Sequence, residues 1–436
     1  MSANDTLRDF DARHLWHPFT QAQTAPAPIL VKEASGAWLS AADGIKYLDL
    51  ISSWWVNLHG HSHPRIARAI AEQAAKLEHV VFAGFTHEPA IELARRVLAH
   101  LPPTMTRLFY SDNGSTAVEV ALKMAFQFWR NSGDTRRKRF IAFEGGYHGD
   151  TIGAMSAGRT SGFYLPFEEL MFDVDIVPYP ATWEGDVDVD AREAEALVAL
   201  DRLLQHAQHY AAAIIEPLLQ GASGMRLCRP QFLRTVAERL SRANVLLIFD
   251  EVMTGFGRTG DIFACIKAGV APDILCCAKG ITGGFLPLAA TITHERIYEA
   301  FLGEGVERAF LHGHSYTANP LGCAAGIASL NVFASENTLP RIAAIESLHS
   351  AHLKDLRVGA GIERARCLGS IAAFEVGGAA AYGSEMGGRL RELALREGLI
   401  LRPLGNVIYL MPPYCITDAE LEAAYAGIGR LLSQLR

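Results

Sequence analysis

Two apolar runs that end abruptly in charged residues constrain this chain most. Val245 to Phe249 stops at Asp250 and Glu251, and Ile274 to Ala278 stops at Lys279. Each run has the length of a strand buried on both faces, as in a parallel sheet. In open α/β sheets, ligands collect at the carboxyl ends of such strands. An aspartate placed there can hold a proton on a ring nitrogen, and a lysine can form a Schiff base with a carbonyl. Taken singly, the two residues read as a helix cap and a solvated charge. A site needs further groups elsewhere in the chain.

The surrounding pattern supplies a body for them. From about residue 61 to 325, apolar runs alternate with amphipathic helical segments, which predicts an α/β domain with a mostly parallel sheet. Residues 1–60 read as an irregular arm followed by short strands, with a hairpin turn at Asp43-Gly44. Residues 326–436 read as helices plus an alternating strand set, so 1–60 and 326–436 are expected to form a smaller domain. With 436 residues, half of them hydrophobic, the chain can bury a sizeable core.

The formal net charge is −7, and the basic residues are scattered, which leaves no footprint for nucleic acid. The seven cysteines lack metal-binding or CxxC spacing and fit a reducing cytoplasm. His59, His61 and His63 have no matching carboxylate or cysteine set, so no metal is expected. The N-terminus lacks an apolar core of the signal-peptide kind, and no apolar run reaches membrane length. These features together predict a cytoplasmic protein without a membrane partner.

Candidate site groups recur at the ends of the apolar runs. Gly114-Ser115-Thr116 opens a helix whose buried face is Ala117, Val118, Val120, Ala121, Met124, Ala125 and Phe128; its N-terminus could receive a phosphate. Tyr147 follows two glycines in EGGYHGDT and could lie against a ring. Ser315 and Thr317 sit in a hydroxyl-rich loop that could supply a further phosphate ligand. Trp54 and Trp55 are adjacent; alternation along a strand would send one of them into a cavity. Arg402 stands at a strand end, suited to a carboxylate. Pyridoxal phosphate needs such a set: a lysine for its aldehyde, an acid for its pyridine nitrogen and a cradle for its phosphate.

Together, DEVMTGFGRTG, the lysine of CCAKGITGG, SDNGSTAVEVALK, GGYHGDT and GHSYTANPLGCAA resemble the class III, fold-type I pyridoxal-phosphate aminotransferases over nearly the whole chain. The resemblance implies an α/β fold with a mostly parallel seven-stranded sheet between helices, a smaller α+β domain from both termini, and a homodimer with shared active sites. It implies that Lys279 holds the cofactor and moves the proton, that Asp250 pairs with the pyridine nitrogen, and that Tyr147 stacks on the ring. Gly114 and Ser115 would bind the phosphate; Ser315, with His314 beside it, would reach in from the neighbouring subunit. Trp54, Tyr147, Lys279, Gly313 and Arg402 would border the substrates, with Phe19, Trp55, Asp150 and Tyr409 nearby.

Within the family, HLWHPFTQ, ISSWWVNLHGH and LRPLGNVIYLMPP are similar to members that serve biotin biosynthesis. That similarity implies ping-pong transamination of 8-amino-7-oxononanoate to 7,8-diaminononanoate, with S-adenosylmethionine as the expected donor. Phe19 stands where the family often has tyrosine, and His314-Ser315 where many S-adenosylmethionine users have Pro-Thr, which keeps lysine open as donor. Another class III activity, on an ω-amino acid or a diamine, is the alternative.

Overall fold

The computed structural model describes residues 3–378 and 382–435. After a helix over Ala3–His14, the chain lays down β1 (Val31–Ser35), β2 (Trp38–Ala41) and β3 (Lys46–Asp49) as an antiparallel ladder. Then come β4 (Met105–Ser111), β5 (Arg139–Phe143), β6 (Asp175–Val177) and β7 (Tyr210–Ile215). A small antiparallel pair, β8 (Leu219–Gln220) and β9 (Arg226–Leu227), precedes β10 (Leu246–Asp250), β11 (Ile274–Cys277) and β12 (Ala289–His294). Seven strands form one sheet in the order β4-β12-β11-β10-β7-β5-β6, parallel except at β12, which runs against both neighbours.

The two apolar runs are its central pair, β10 and β11. Successive side chains point to opposite faces, so Leu247, Phe249, Leu275 and Cys277 enter one core while Leu246, Ile248, Ile274 and Cys276 enter the other. Burial on both faces is why the runs are unbroken rather than alternating. Cys276 and Cys277 are fully buried packing residues. The helix Gly114–Asn131 begins where β4 ends and packs its Ala117, Val118, Ala121 and Phe128 face into the second core.

The C-terminal strands are β13 (Glu363–Leu368), β14 (Ile371–Glu375), β15 (Leu399–Ile400) and β16 (Val407–Leu410). β13, β14 and β16 make an antiparallel sheet, whereas β15 pairs in parallel with β3. A third core joins Leu48 and Leu50 to Leu353, Phe374, Ile408 and Leu421, so residues near both ends of the chain pack together. Among the described residues, no helix is long and apolar enough to cross a membrane.

The N-terminal arm departs from expectation, because residues 3–14 are helical rather than irregular. Asp5 lies in its first turn and Arg13 and His14 in its last, charges that complement the helix dipole. No glycine or proline interrupts it. Leu7 and Phe10 are each 57% exposed, so no buried stripe betrays the helix in the sequence.

Candidate functional site

Asp250, the last residue of β10, and Lys279, just past β11, face one cavity of about 700 Å³. Gly114, Ser115, Tyr147, Asp150, Trp55, His148 and Glu216 also line it. The helix starting at Gly114 is held by a capping box: Thr116 N–H donates to Asn113 Oδ1 (3.0 Å), and Asn113 N–H donates to Thr116 Oγ1 (3.1 Å). The positive end of this helix therefore opens on the cavity. Ser115 Oγ lies 2.7 Å from Thr151 Oγ1 and accepts from Thr151 N–H at 3.0 Å. Gly149, at φ +119°, lets that segment close on the helix, since a Cβ there would collide with Ser115.

Asp250 is 3% exposed and is tied down from two sides. Its Oδ2 is 2.7 Å from His148 Nδ1, and its Oδ1 accepts from Val252 N–H at 3.0 Å. Burial disfavours a charged His148, but the hydrogen bond and charge of Asp250, helped by Glu216, outweigh it and raise its pKa above the usual histidine value. Burial pushes Glu216 up to about 7, although Gly221 and Tyr147 donate backbone N–H groups to it at 3.0 and 3.1 Å. Burial also holds the Lys279 amine below its ordinary value, against the pull of Asp250 and Glu216. A lysine so placed spends more of its time neutral and nucleophilic. Its backbone sits at φ +44°, a left-handed conformation that costs a non-glycine residue on the order of 1–3 kcal/mol.

A smaller pocket of about 90 Å³ adjoins the cavity and shares Trp55, Tyr147 and Lys279 with it. Phe19, Trp54, Phe163, Tyr382 and Arg402 also line it. The Arg402 guanidinium carbon lies 3.9 Å from the Trp54 ring centroid, and its Nη2 donates to the Tyr382 hydroxyl at 2.9 Å. Among the described residues, no carboxylate pairs with Arg402. Tyr147 donates its hydroxyl to the Asp150 carboxylate, 3.0 Å from either oxygen. Tyr409 is buried and accepts from Trp55 Nε1–H at 2.9 Å.

Both tryptophans border the pocket, contrary to the expectation that only one would. The alternation rule presumes an extended strand, whereas Ser52, Ser53 and Trp55 have φ of 51°, 61° and 67°. This tight turn frees the pair from strand alternation, and both line the pocket. Trp55 is buried, its ring centroid 5.4 Å from Lys279 Nζ, while Trp54 is 39% exposed.

Gly313, His314 and Ser315 line neither pocket of their own chain. Gly313 and Ser315 are exposed, the His314 ring nitrogen lies 3.1 Å from that of His312, and the Ser315 carbonyl accepts from His79 at 2.6 Å. His59, His61 and His63 turn to three separate partners, Ser329, Asp49 and Glu336. Sequence reasoning did not select His148, Glu216, Thr151, Phe163 or Tyr382. Glu216 directly follows β7 much as Asp250 closes β10, so the same run-then-acid signal marks it. His148 sits beside Tyr147 in the glycine-rich segment, but its partner is 102 residues away. Phe163 and Tyr382 come from loops with no pattern to flag them. An amine, a buried carboxylate and a helix N-terminus on one cavity could together hold an anionic cofactor bearing a carbonyl.

The model of the family described as aminotransferase class-III matches residues 19–432. A curated relative from Synechococcus elongatus, named adenosylmethionine-8-amino-7-oxononanoate aminotransferase, is 54% identical, with 97% of this chain and 99% of the relative covered. The crystal structure of a protein of the same name from Methanocaldococcus jannaschii superposes with a TM-score of 0.92 at 36% identity, over 99% of both chains. An amine transaminase from an uncultivated Pseudomonas species, solved with pyridoxal phosphate bound, gives 0.91 at 31% identity, over 97% of this chain and 98% of that one.

Proposed function

The chain belongs to the class III aminotransferases, with a fold-type I architecture, and from that premise we propose that it transfers an amino group to C7 of 8-amino-7-oxononanoate. The product is 7,8-diaminononanoate, S-adenosylmethionine is the amino donor, and the step belongs to biotin biosynthesis. Its 54%-identical relative is named for the same acceptor and donor. One observation carries the reading onto this chain's own residues. The pocket around Arg402 shares Trp55, Tyr147 and Lys279 with the cavity of Asp250, so a carboxylate grip lies beside a reacting amine.

Pyridoxal phosphate, the cofactor of this family, supplies an electron sink for the carbon that loses a proton. The cavity fits it. Gly114 and Ser115 offer a helix N-terminus to its phosphate, and Gly149 keeps that cradle free of a side chain. Asp250, oriented by His148, carries the negative charge that keeps a pyridine nitrogen protonated. Tyr147 forms the aromatic wall, its hydroxyl held by Asp150. Lys279 would hold the cofactor through its aldehyde and, once the substrate amine has displaced it, would serve as the neutral amine that takes and returns the proton at the reacting substrate carbon. Arg402 takes the substrate carboxylate, with Phe19 close by. Trp54 and Trp55, the latter braced by Tyr409, line the path of the apolar chain and exclude water.

In this reading residues 61–325 form the cofactor-binding body, and 1–60 with 326–436 form a smaller unit that carries the substrate walls. Gly313 and Ser315, exposed on their own chain, and the half-buried His314 complete the site of a second copy in a homodimer.

The test is a half-reaction titration of purified enzyme, followed by the visible absorbance of the lysine-bound cofactor. S-adenosylmethionine is expected to bleach it and 8-amino-7-oxononanoate to restore it. Bleaching by lysine instead would reassign the donor, and no recovery with the oxononanoate after either donor would overturn the acceptor.

A further inference from the structure

Trp54 and Arg402, two facing parts of the substrate pocket, follow one parallel strand pair. β3 meets β15 with Leu48 opposite Leu399 and Asp49 opposite Ile400. Past that point, β3 leads into Trp54 and Trp55, and β15 leads into Arg402. We infer that Asp49 is a positioning residue that fixes the Trp54–Arg402 pair as the carboxylate grip, and that His61 holds Asp49 to this task. The inference rests on the function proposed above, which uses the pair but leaves open what holds it.

Asp49 is fully buried, and among the described residues no lysine or arginine pairs with it. Three donors converge on its carboxylate instead. Oδ1 accepts from Ile51 N–H at 3.1 Å, while Oδ2 accepts from Ser53 N–H at 2.6 Å and from His61 Nε2 at 2.9 Å. His61 is itself pinned to the turn between β1 and β2: its N–H donates to the Gly36 carbonyl at 2.7 Å, and Gly36 N–H donates back at 3.2 Å. The imidazole therefore reaches Asp49 from a fixed point.

What the carboxylate holds is a strained backbone. Ser52, Ser53 and Trp55 all lie in the left-handed region, and none is glycine. Such a run persists only where its surroundings over-determine it. Asp49 takes the N–H groups on either side of Ser52, while Ser52 Oγ donates to the Met411 carbonyl at 2.7 Å. The turn is thus clamped to two elements before it presents Trp54, on whose ring Arg402 rests. Both carboxylate oxygens already accept a backbone N–H, so an amide does not suit the place. Asparagine has one acceptor oxygen and would turn an NH2 group towards an N–H.

In Asp49→Asn holoenzyme, the KM for 8-amino-7-oxononanoate is expected to rise about 10-fold or more, with kcat and the affinity for pyridoxal phosphate changing less than about 3-fold. The near-ultraviolet circular dichroism of the tryptophans should change alongside. His61→Ala removes one of the three donors and should give the same split at about 3-fold; it carries the test if Asp49→Asn does not fold. An unchanged KM, in a background where Arg402→Ala raises it, overturns the inference. So does an equal loss in KM, kcat and cofactor affinity, which is what general loosening would produce. If Arg402→Ala also leaves KM unchanged, the carboxylate anchor itself fails. The tryptophan signal then decides on Asp49: an altered signal supports the positioning role, and an unaltered one overturns it.

Discussion

Arg402 lies on an aromatic face and donates one hydrogen bond to a neutral hydroxyl, which leaves most of its five N–H donors for a ligand. A charge-assisted bond of that kind contributes roughly 1.5–3 kcal/mol. Arg402→Ala is therefore expected to raise the KM for the oxononanoate by about 10- to 100-fold while leaving cofactor affinity near wild type, measured by steady-state kinetics and absorbance titration. An unaltered KM would remove Arg402 from the site. At this scale the sequence was legible wherever a charge terminates an apolar run, as at Asp250 and Lys279. It was not legible where geometry depends on partners distant in the chain. The His148–Asp250 contact and the turn that lets both Trp54 and Trp55 line the pocket have no local signature. Phe163 and Tyr382 reach the pocket from loops that carry no periodicity.

β10 delivers two acids with opposite fates. Asp250 faces the cavity, while Glu251 turns into the protein and accepts the N–H groups of Ala264 (2.6 Å) and Cys265 (2.7 Å) at the start of the short helix Ala264–Ala268. Burial, the largest influence, pushes Glu251 up to about 7 despite those bonds. A carboxyl raised above its unfolded value binds its proton more tightly in the folded state. Its contribution to stability is therefore complete below about pH 4.5 and is lost as pH rises through about 7. Glu251→Gln should flatten this loss. In urea unfolding, the stability of the wild type relative to the variant is expected to fall by about 3 kcal/mol between pH 4 and pH 8. A constant difference would mean that Glu251 stays ionised in the folded protein. Elements were more legible than residues: β10 and β11 stand out as unbroken apolar runs because both their faces are buried, and the helix Gly114–Asn131 shows its buried face at helical period. The helix Ala3–His14 was missed because it exposes its apolar residues and so lacks a buried stripe to mark it.

As a whole molecule, the chain has Gly313 and Ser315 exposed and its larger cavity lined without the segment they bound. A homodimer in which that segment completes the partner's phosphate site predicts a dimer by sedimentation equilibrium. It also predicts that Ser315→Ala weakens pyridoxal phosphate binding by about 10-fold, the value of one charge-assisted hydrogen bond. A monomer that binds the cofactor as tightly as its variant would overturn that arrangement. The pairing of β3 with β15 also sets a timetable for synthesis. Trp55 and the Tyr409 it bonds to are 354 residues apart, and at roughly 5–20 residues per second the ribosome takes about 20–70 s to make that span. For most of that interval the first three strands are outside the ribosome while β15, the partner that covers the β3 edge, has not been made. The nascent chain must keep that edge from pairing wrongly until almost the last residues emerge.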